Sequence, residues 1–169
     1  MSNESLTFAA WVQVFDNPNN WRPFVTLEDV DSRPKINFGK ARSGYKNSGG
    51  IYISVANAET STTVGRKMAS SIDNGSELPK RKWMHVIGIV DYENKLERLY
   101  IDSVPQQTAQ LVDNFDMSNA SSLALNIGGY NGTSYYNAYS SKYIGLIDEV
   151  YIFERALSDS EIQKLYEKK

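Results

Sequence analysis

Three consecutive pieces decide the fold class: Trp83-Met84-His85-Val86-Ile87-Gly88-Ile89-Val90-Asp91, then Tyr92-Glu93-Asn94-Lys95, then Leu96-Glu97-Arg98-Leu99-Tyr100-Ile101. The outer two are short apolar runs rich in β-branched and aromatic residues, and the middle one has turn chemistry. The runs Met84–Val90 and Leu96–Ile101 therefore pair antiparallel through a short hairpin. Ser103-Val104-Pro105 interrupts the next pairing, because Pro105 has no amide hydrogen to give and suits a turn or a strand start. The result is a meander.

The same grammar runs outward in both directions. Leu6–Val14, Pro23–Glu28, Lys35–Gly39, Gly50–Asn57, Thr62–Ala69, Trp83–Asp91, Leu96–Ser103, Gln106–Gln110, Ser122–Gly128 and Tyr143–Phe153 read as strands, separated by clusters of Gly, Pro, Asn, Asp and Ser. Helical periodicity is confined to the end of the chain. There Leu157, Ile162, Leu165 and Tyr166 form one apolar side, Ser158 is placed to cap the free amides, and Glu161 is placed to reach back. The expectation is one all-β domain over residues 1–169, an antiparallel two-sheet sandwich on which a short C-terminal helix docks.

Composition narrows the function. With 41% hydrophobic residues, a net charge of −2 and no run of like charges, the chain has no electrostatic footprint for nucleic acid. Its apolar runs are too short for membrane insertion or for a signal peptide, so export would require a signal outside this sequence. The absence of cysteine removes disulfides, thiolate metal sites and thiol nucleophiles.

Four segments in order carry a family resemblance: Leu6-Thr7-Phe8-Ala9-Ala10-Trp11-Val12-Gln13, Trp83 to Asp91, Leu99-Tyr100-Ile101-Asp102-Ser103-Val104, and Gly145-Leu146-Ile147-Asp148-Glu149-Val150-Tyr151-Ile152-Phe153-Glu154-Arg155-Ala156-Leu157-Ser158. Together they resemble the laminin-G-like, concanavalin-A-like jelly-roll modules of bacterial glycosidases and adhesins. The resemblance implies a jelly roll, an extracellular or cell-surface setting and other domains in a parent protein. It also departs from the pattern twice. Ser103 stands where a turn glycine is usual, and only Met1–Ser5 precede Leu6, where family members carry an extra strand. Leu6–Val14 is therefore expected to have an open edge.

The same resemblance makes Asp148 a candidate Ca²⁺ ligand. Strand alternation groups it with Leu146, Val150 and Ile152 on a face expected to be covered, where a carboxylate needs a cation or loop amides. Catalysis finds no support. The clusters Glu28-Asp29-Val30-Asp31 and Asp148-Glu149 lack the paired-carboxylate arrangement of the related glucanases, and no serine-histidine-acid or phosphate-cradling pattern takes its place. Trp11 and Trp83 are expected to fill the space between sheets, and His85 to be a structural histidine with its hydrogen bonds made.

What remains is a concentration of rings in predicted loops: Trp21 beside Arg22, Tyr45, and the group Tyr130, Asn131, Tyr135, Tyr136 and Tyr139. Rings stack on the apolar faces of sugars, while amides and a guanidinium bond the hydroxyls. The expected function is non-catalytic binding of a glycan or polysaccharide. The alternative is an extracellular protein-interaction or adhesion module without sugar specificity.

Overall fold

In the computed structural model, residues 4–15, 21–29, 34–41, 50–55, 67–70, 78–111, 123–129 and 142–168 are described. The strands are β1 (Leu6–Val14), β2 (Arg22–Asp29), β3 (Pro34–Lys40), β4 (Ile51–Val55), β5 (Lys67–Ser70), β6 (Trp83–Asp91), β7 (Leu96–Ile101), β8 (Val104–Pro105), β9 (Ala109–Gln110), β10 (Leu123–Ile127) and β11 (Gly145–Phe153), followed by helix α1 (Asp159–Glu167). They form two antiparallel sheets. One runs β11-β1-β6-β7-β8, with β9 also on β7; the other runs β10-β2-β3-β4-β5. This is the expected jelly-roll sandwich.

Alternation explains the layers. Phe8, Ala10, Val12 and Val14 of β1, Val86 and Val90 of β6, Ile36 and Phe38 of β3, and Ile51, Ile53 and Val55 of β4 point inward and make one buried cluster. The sheets interdigitate closely at Gly88, where a Cβ would lie 2.8 Å from Ile53 Cδ1 and 2.9 Å from Phe38 Cδ2. The glycine is a packing requirement: the Phe38 ring uses the space that its missing side chain leaves.

The hairpin predicted at residues 92–95 is present, with Asp91 accepting from the Asn94 amide at 3.1 Å and Lys95 at φ 57°. The next turn is tighter than expected. Asp102 and Ser103 adopt φ 50° and 63°, so β7 stops at Ile101, Val104–Pro105 pairs back on it where an interruption was expected, and of the expected strand over 106–110 only Ala109–Gln110 pairs with β7. Ser103 thus sits in the left-handed region that glycine adopts freely.

Three expectations are corrected. β1 is not an open strand: it pairs with β11 on one side and β6 on the other, and the edge of this sheet is β11. Trp11 does not lie between the sheets, because it falls on the opposite parity from Phe8, Ala10 and Val12. Its ring stacks under α1, 5.0 Å from His85 and 5.8 Å from Tyr166. Trp83, paired with Gln13, shares that outward parity and is half-buried. His85 is structural, yet its Nδ1 is buried without a hydrogen-bond partner; ring contacts hold it instead.

Helix α1 docks as predicted. Ser158 accepts from the Glu161 amide and the Glu161 side chain accepts from the Ser158 amide, while Leu157 and Ile162 are buried against Ala9, Ile87, Ile89 and Tyr100. Arg98 links the helix entry to the hairpin, bonding Asp91 at 3.1 Å and the Leu157 carbonyl at 3.2 Å. Thr7 closes the structure: its hydroxyl donates to the Arg155 carbonyl at 2.7 Å and accepts from the Leu157 amide at 3.2 Å.

Two outcomes follow from this packing. Gly88→Ala should lower stability by about 1–3 kcal/mol, read from the urea midpoint, because neither Phe38 nor Ile53 has room to retreat. Burial lowers the His85 pKa from 6.5 to about 4 against a smaller opposing pull from Asp102. Between those two values only the unfolded chain takes the proton. Stability should therefore fall, by at most ~1.4 kcal/mol per pH unit, as pH drops through this window, and His85→Phe should flatten that slope.

Candidate functional site

The outward face of the five-stranded sheet is polar, and register explains how. Asn126 of β10 stands opposite Thr26 of β2, Thr26 opposite Asn37 of β3, and Asn37 opposite Ser54 of β4. One cross-strand row of hydroxyls and amides thus spans four strands, between inward neighbours Val25, Ile36, Phe38, Ile53 and Val55. Thr26, Asn37 and Ser54 are buried, and Asn126 is half-buried at the β10 end.

A buried polar row needs its bonds made. Asn126 Nδ2 donates to Thr26 Oγ1 at 3.3 Å, and the Thr26 hydroxyl donates to Glu28 Oε1 at 2.9 Å, with the Gly129 carbonyl 3.4 Å away. Farther along, Tyr52 Oη donates to Asn37 Oδ1 at 2.6 Å. Tyr52 lies opposite Gly39, where a Cβ would be 2.5 Å from the Arg22 carbonyl oxygen and from Pro23 Cα. Only a residue without a side chain lets β2 and β3 approach this closely beside the ring.

Two predicted site residues, Trp21 and Arg22, are held at the start of β2. The Trp21 ring meets the buried Tyr52 edge-on, with centroids 4.7 Å apart at 77°, and Trp21 itself keeps partial exposure. Arg22 Nη1 donates to the Lys142 carbonyl at 2.8 Å. That carbonyl is positioned by its neighbour: the Tyr143 amide donates to Gly128, whose own amide donates to Phe24. The Tyr143 ring packs edge-on against Phe24, and burial pushes its hydroxyl well above the ordinary tyrosine range. The geometry therefore joins a half-exposed ring, linked through Tyr52 to Asn37 of the polar row, and a guanidinium held by the Lys142 carbonyl.

The remaining predicted aromatics and amide, Tyr45, Tyr130, Asn131, Tyr135, Tyr136 and Tyr139, lie outside the described residues. Thr26, Glu28, Asn37, Tyr52, Ser54 and Asn126 lie outside the sequence-predicted site, because no loop ring marks them. Their signal was strict alternation, as in Ile51-Tyr52-Ile53-Ser54-Val55.

Asp148 belongs to the other sheet. The register of β11 on β1 shifts between Ala9 and Trp11, with Glu149 at φ 48°, so one extra residue enters β11. This bulge separates Asp148 and Leu146, which face outward, from Val150, which packs against the core, and from Ile152, which stands opposite the inward Phe8 but stays exposed at the sheet margin. The expected shared face is thereby corrected. Asp148 is exposed, and its Oδ1 accepts from the Glu149 amide at 2.9 Å. Calcium takes six to eight oxygens, and among the described residues no group of three acidic, histidine or cysteine side chains gathers around any point. The described surroundings of Asp148 do not fit the ion.

Solved structures share this architecture. The CBM40 of the Ruminococcus gnavus IT-sialidase superposes with a TM-score of 0.71 at 14% identity, covering 96% of this chain and 83% of that one. The same CBM40 has been solved with α2,3 sialyllactose. The heptameric SAP-like pentraxin of Limulus polyphemus gives a TM-score of 0.69 at 14% identity, covering 96% and 70%. A putative carbohydrate binding protein from Bacteroides ovatus gives 0.64 at 13%, covering 95% and 40%. At such identities the likeness is one of fold. No curated protein matches the chain. A family model does match, over residues 1–163, and by it the chain belongs to the concanavalin A-like lectin/glucanases superfamily, in its laminin-G-like branch.

Proposed function

We propose that this domain is a non-catalytic carbohydrate-binding module, presented outside the cell by a larger enzyme or adhesin. The observation that supports the reading is the start of β2, where the half-exposed Trp21 packs on Tyr52, itself bonded to Asn37 of the polar row, and its neighbour Arg22 is held by the Lys142 carbonyl. A sugar stacks its C–H face on a ring and bonds its hydroxyls to planar donors. Here the Tyr52 edge braces the ring and the Lys142 carbonyl braces the guanidinium, so less freedom is lost on binding. Sugar-bound structures of similar fold support the same reading. The six loop residues at 45, 130, 131, 135, 136 and 139 extend the proposed surface.

The lack of catalysis rests on chemistry. A retaining glycosidase needs two carboxyls about 5 to 5.5 Å apart. Of the acidic clusters singled out, Glu28 is buried and bonded to Thr26, while Asp148 is turned to the opposite side of the sandwich. No helix among the described residues is long and apolar enough to cross a membrane.

A glycan array printed at high module density should identify a ligand, since monovalent sugar affinities near millimolar correspond to only about −4 kcal/mol. Trp21→Ala and Arg22→Ala should each weaken binding to that ligand by on the order of 1 kcal/mol while leaving the melting temperature close to that of the parent. Normal binding by both variants would move the site away from β2. The calcium proposal has its own check. A melting temperature raised by millimolar Ca²⁺ in the parent and unmoved in Asp148→Asn would place an ion at that carboxylate. The described surroundings lead us to expect the same response in both.

A further inference from the structure

A second concavity lies on the other side of the molecule, outside the six-stranded sheet. It is a groove of about 210 Å³ between the end of β11 and helix α1. Phe153, Leu157 and Leu165 form its apolar floor, and the partly exposed ring of Tyr151, stacked 6.3 Å from Phe153, continues that surface along the strand. Among the described residues its rim is cationic, with Arg155, Lys164 and Lys168 against a single carboxylate, Glu161.

That carboxylate is already committed. Arg155 grips it through two bonds of 2.6 and 2.9 Å, and it also serves the Ser158 amide at the helix cap. Glu167 accepts from Gln163 on the same helix. Among the described residues neither lysine has an ion-pair partner. Lys164 and Lys168 are one turn apart and so share a face. The groove is net positive in a chain of net charge −2. Cations near a helix C-terminus do offset its carbonyl dipoles, but that role does not account for an open apolar floor between them and β11.

We propose that this groove docks an acidic, apolar peptide segment of another polypeptide, which lowers an apolar side chain onto Phe153 and Leu165 and sets carboxylates against Lys164 and Lys168. Charge complementarity selects the acidic partner, and the small volume selects single side chains over a folded ligand. β11 contributes as well: among the described strands it pairs only with β1, so its outer edge offers backbone groups to an extended segment. The surface lies on the sheet opposite the polar row and does not depend on the sugar reading.

The test uses the full chain and fluorescence anisotropy. The probe is a fluorescein-labelled peptide in which a leucine and a phenylalanine stand among aspartates; one control replaces the aspartates by lysines, and another replaces the two apolar residues by serine. The parent protein should bind the acidic apolar peptide and neither control. K164E/K168E, with both changes on exposed positions, should lose at least roughly tenfold in affinity for the acidic peptide, about 1.4 kcal/mol, and gain binding to the lysine peptide. Equal binding of acidic and lysine peptides, binding unchanged by charge reversal, or no anisotropy change at millimolar peptide would each overturn the proposal and leave the lysines as complements of the helix end.

Discussion

Everything in this domain depends on β1 being paired on both sides. Its neighbours are β6, from the middle of the chain, and β11, from near its end. Until β11 is in place, β1 presents an unpaired ladder and the inward face of Phe8, Val12 and Val14 lacks part of its cover. Thr7 then ties the strand to the helix entry across most of the sequence. Such long-range closure costs loop entropy before any contact repays it, which places the domain among slow-folding topologies. It also holds the outer faces of both sheets as fixed platforms, on which a surface can be built without moving the core.

The regular parts of that framework were legible as residues. β1 and β6 have the bounds read from the sequence, because unbroken runs end at turn chemistry on both sides. The helix was legible from Ser158 and Glu161 alone, since a capping box states its own geometry. The errors share one cause, which is parity. Alternation says that neighbours face opposite ways, but it does not say which way is in. Size alone points Trp11 inward, although Phe8, Ala10 and Val12 already occupy that parity. Asp148 was assigned by counting through a bulge that nothing in Asp148-Glu149-Val150 announces. His85 was expected to be hydrogen-bonded, whereas two outer rings enclose it and leave its Nδ1 without a partner.

The site divides along the same line. Trp21 and Arg22 were found by residue type, because a ring next to a guanidinium in a turn-rich segment is a local signal. The row through Asn126, Thr26, Asn37 and Ser54 is not local. Its members are single polar residues in four separate strands, ordinary one at a time and meaningful only once register sets them side by side. Binding surfaces made from sheet faces are hidden from a motif search for this reason, whereas a loop cluster advertises itself.

The bulge at Glu149 has one more effect. β11 is nine residues long and forms the margin of its sheet, with Leu146, Tyr151 and Ile152 exposed. A straight strand of that length and character would be a template for stacking copies of the molecule into an extended cross-β array. A left-handed residue near its middle twists the margin and breaks the even spacing of its outward amides and carbonyls, which disfavours regular pairing with a second β11 over its full length. The irregularity that misplaces Asp148 in a simple count thus also works against edge-to-edge stacking of this strand.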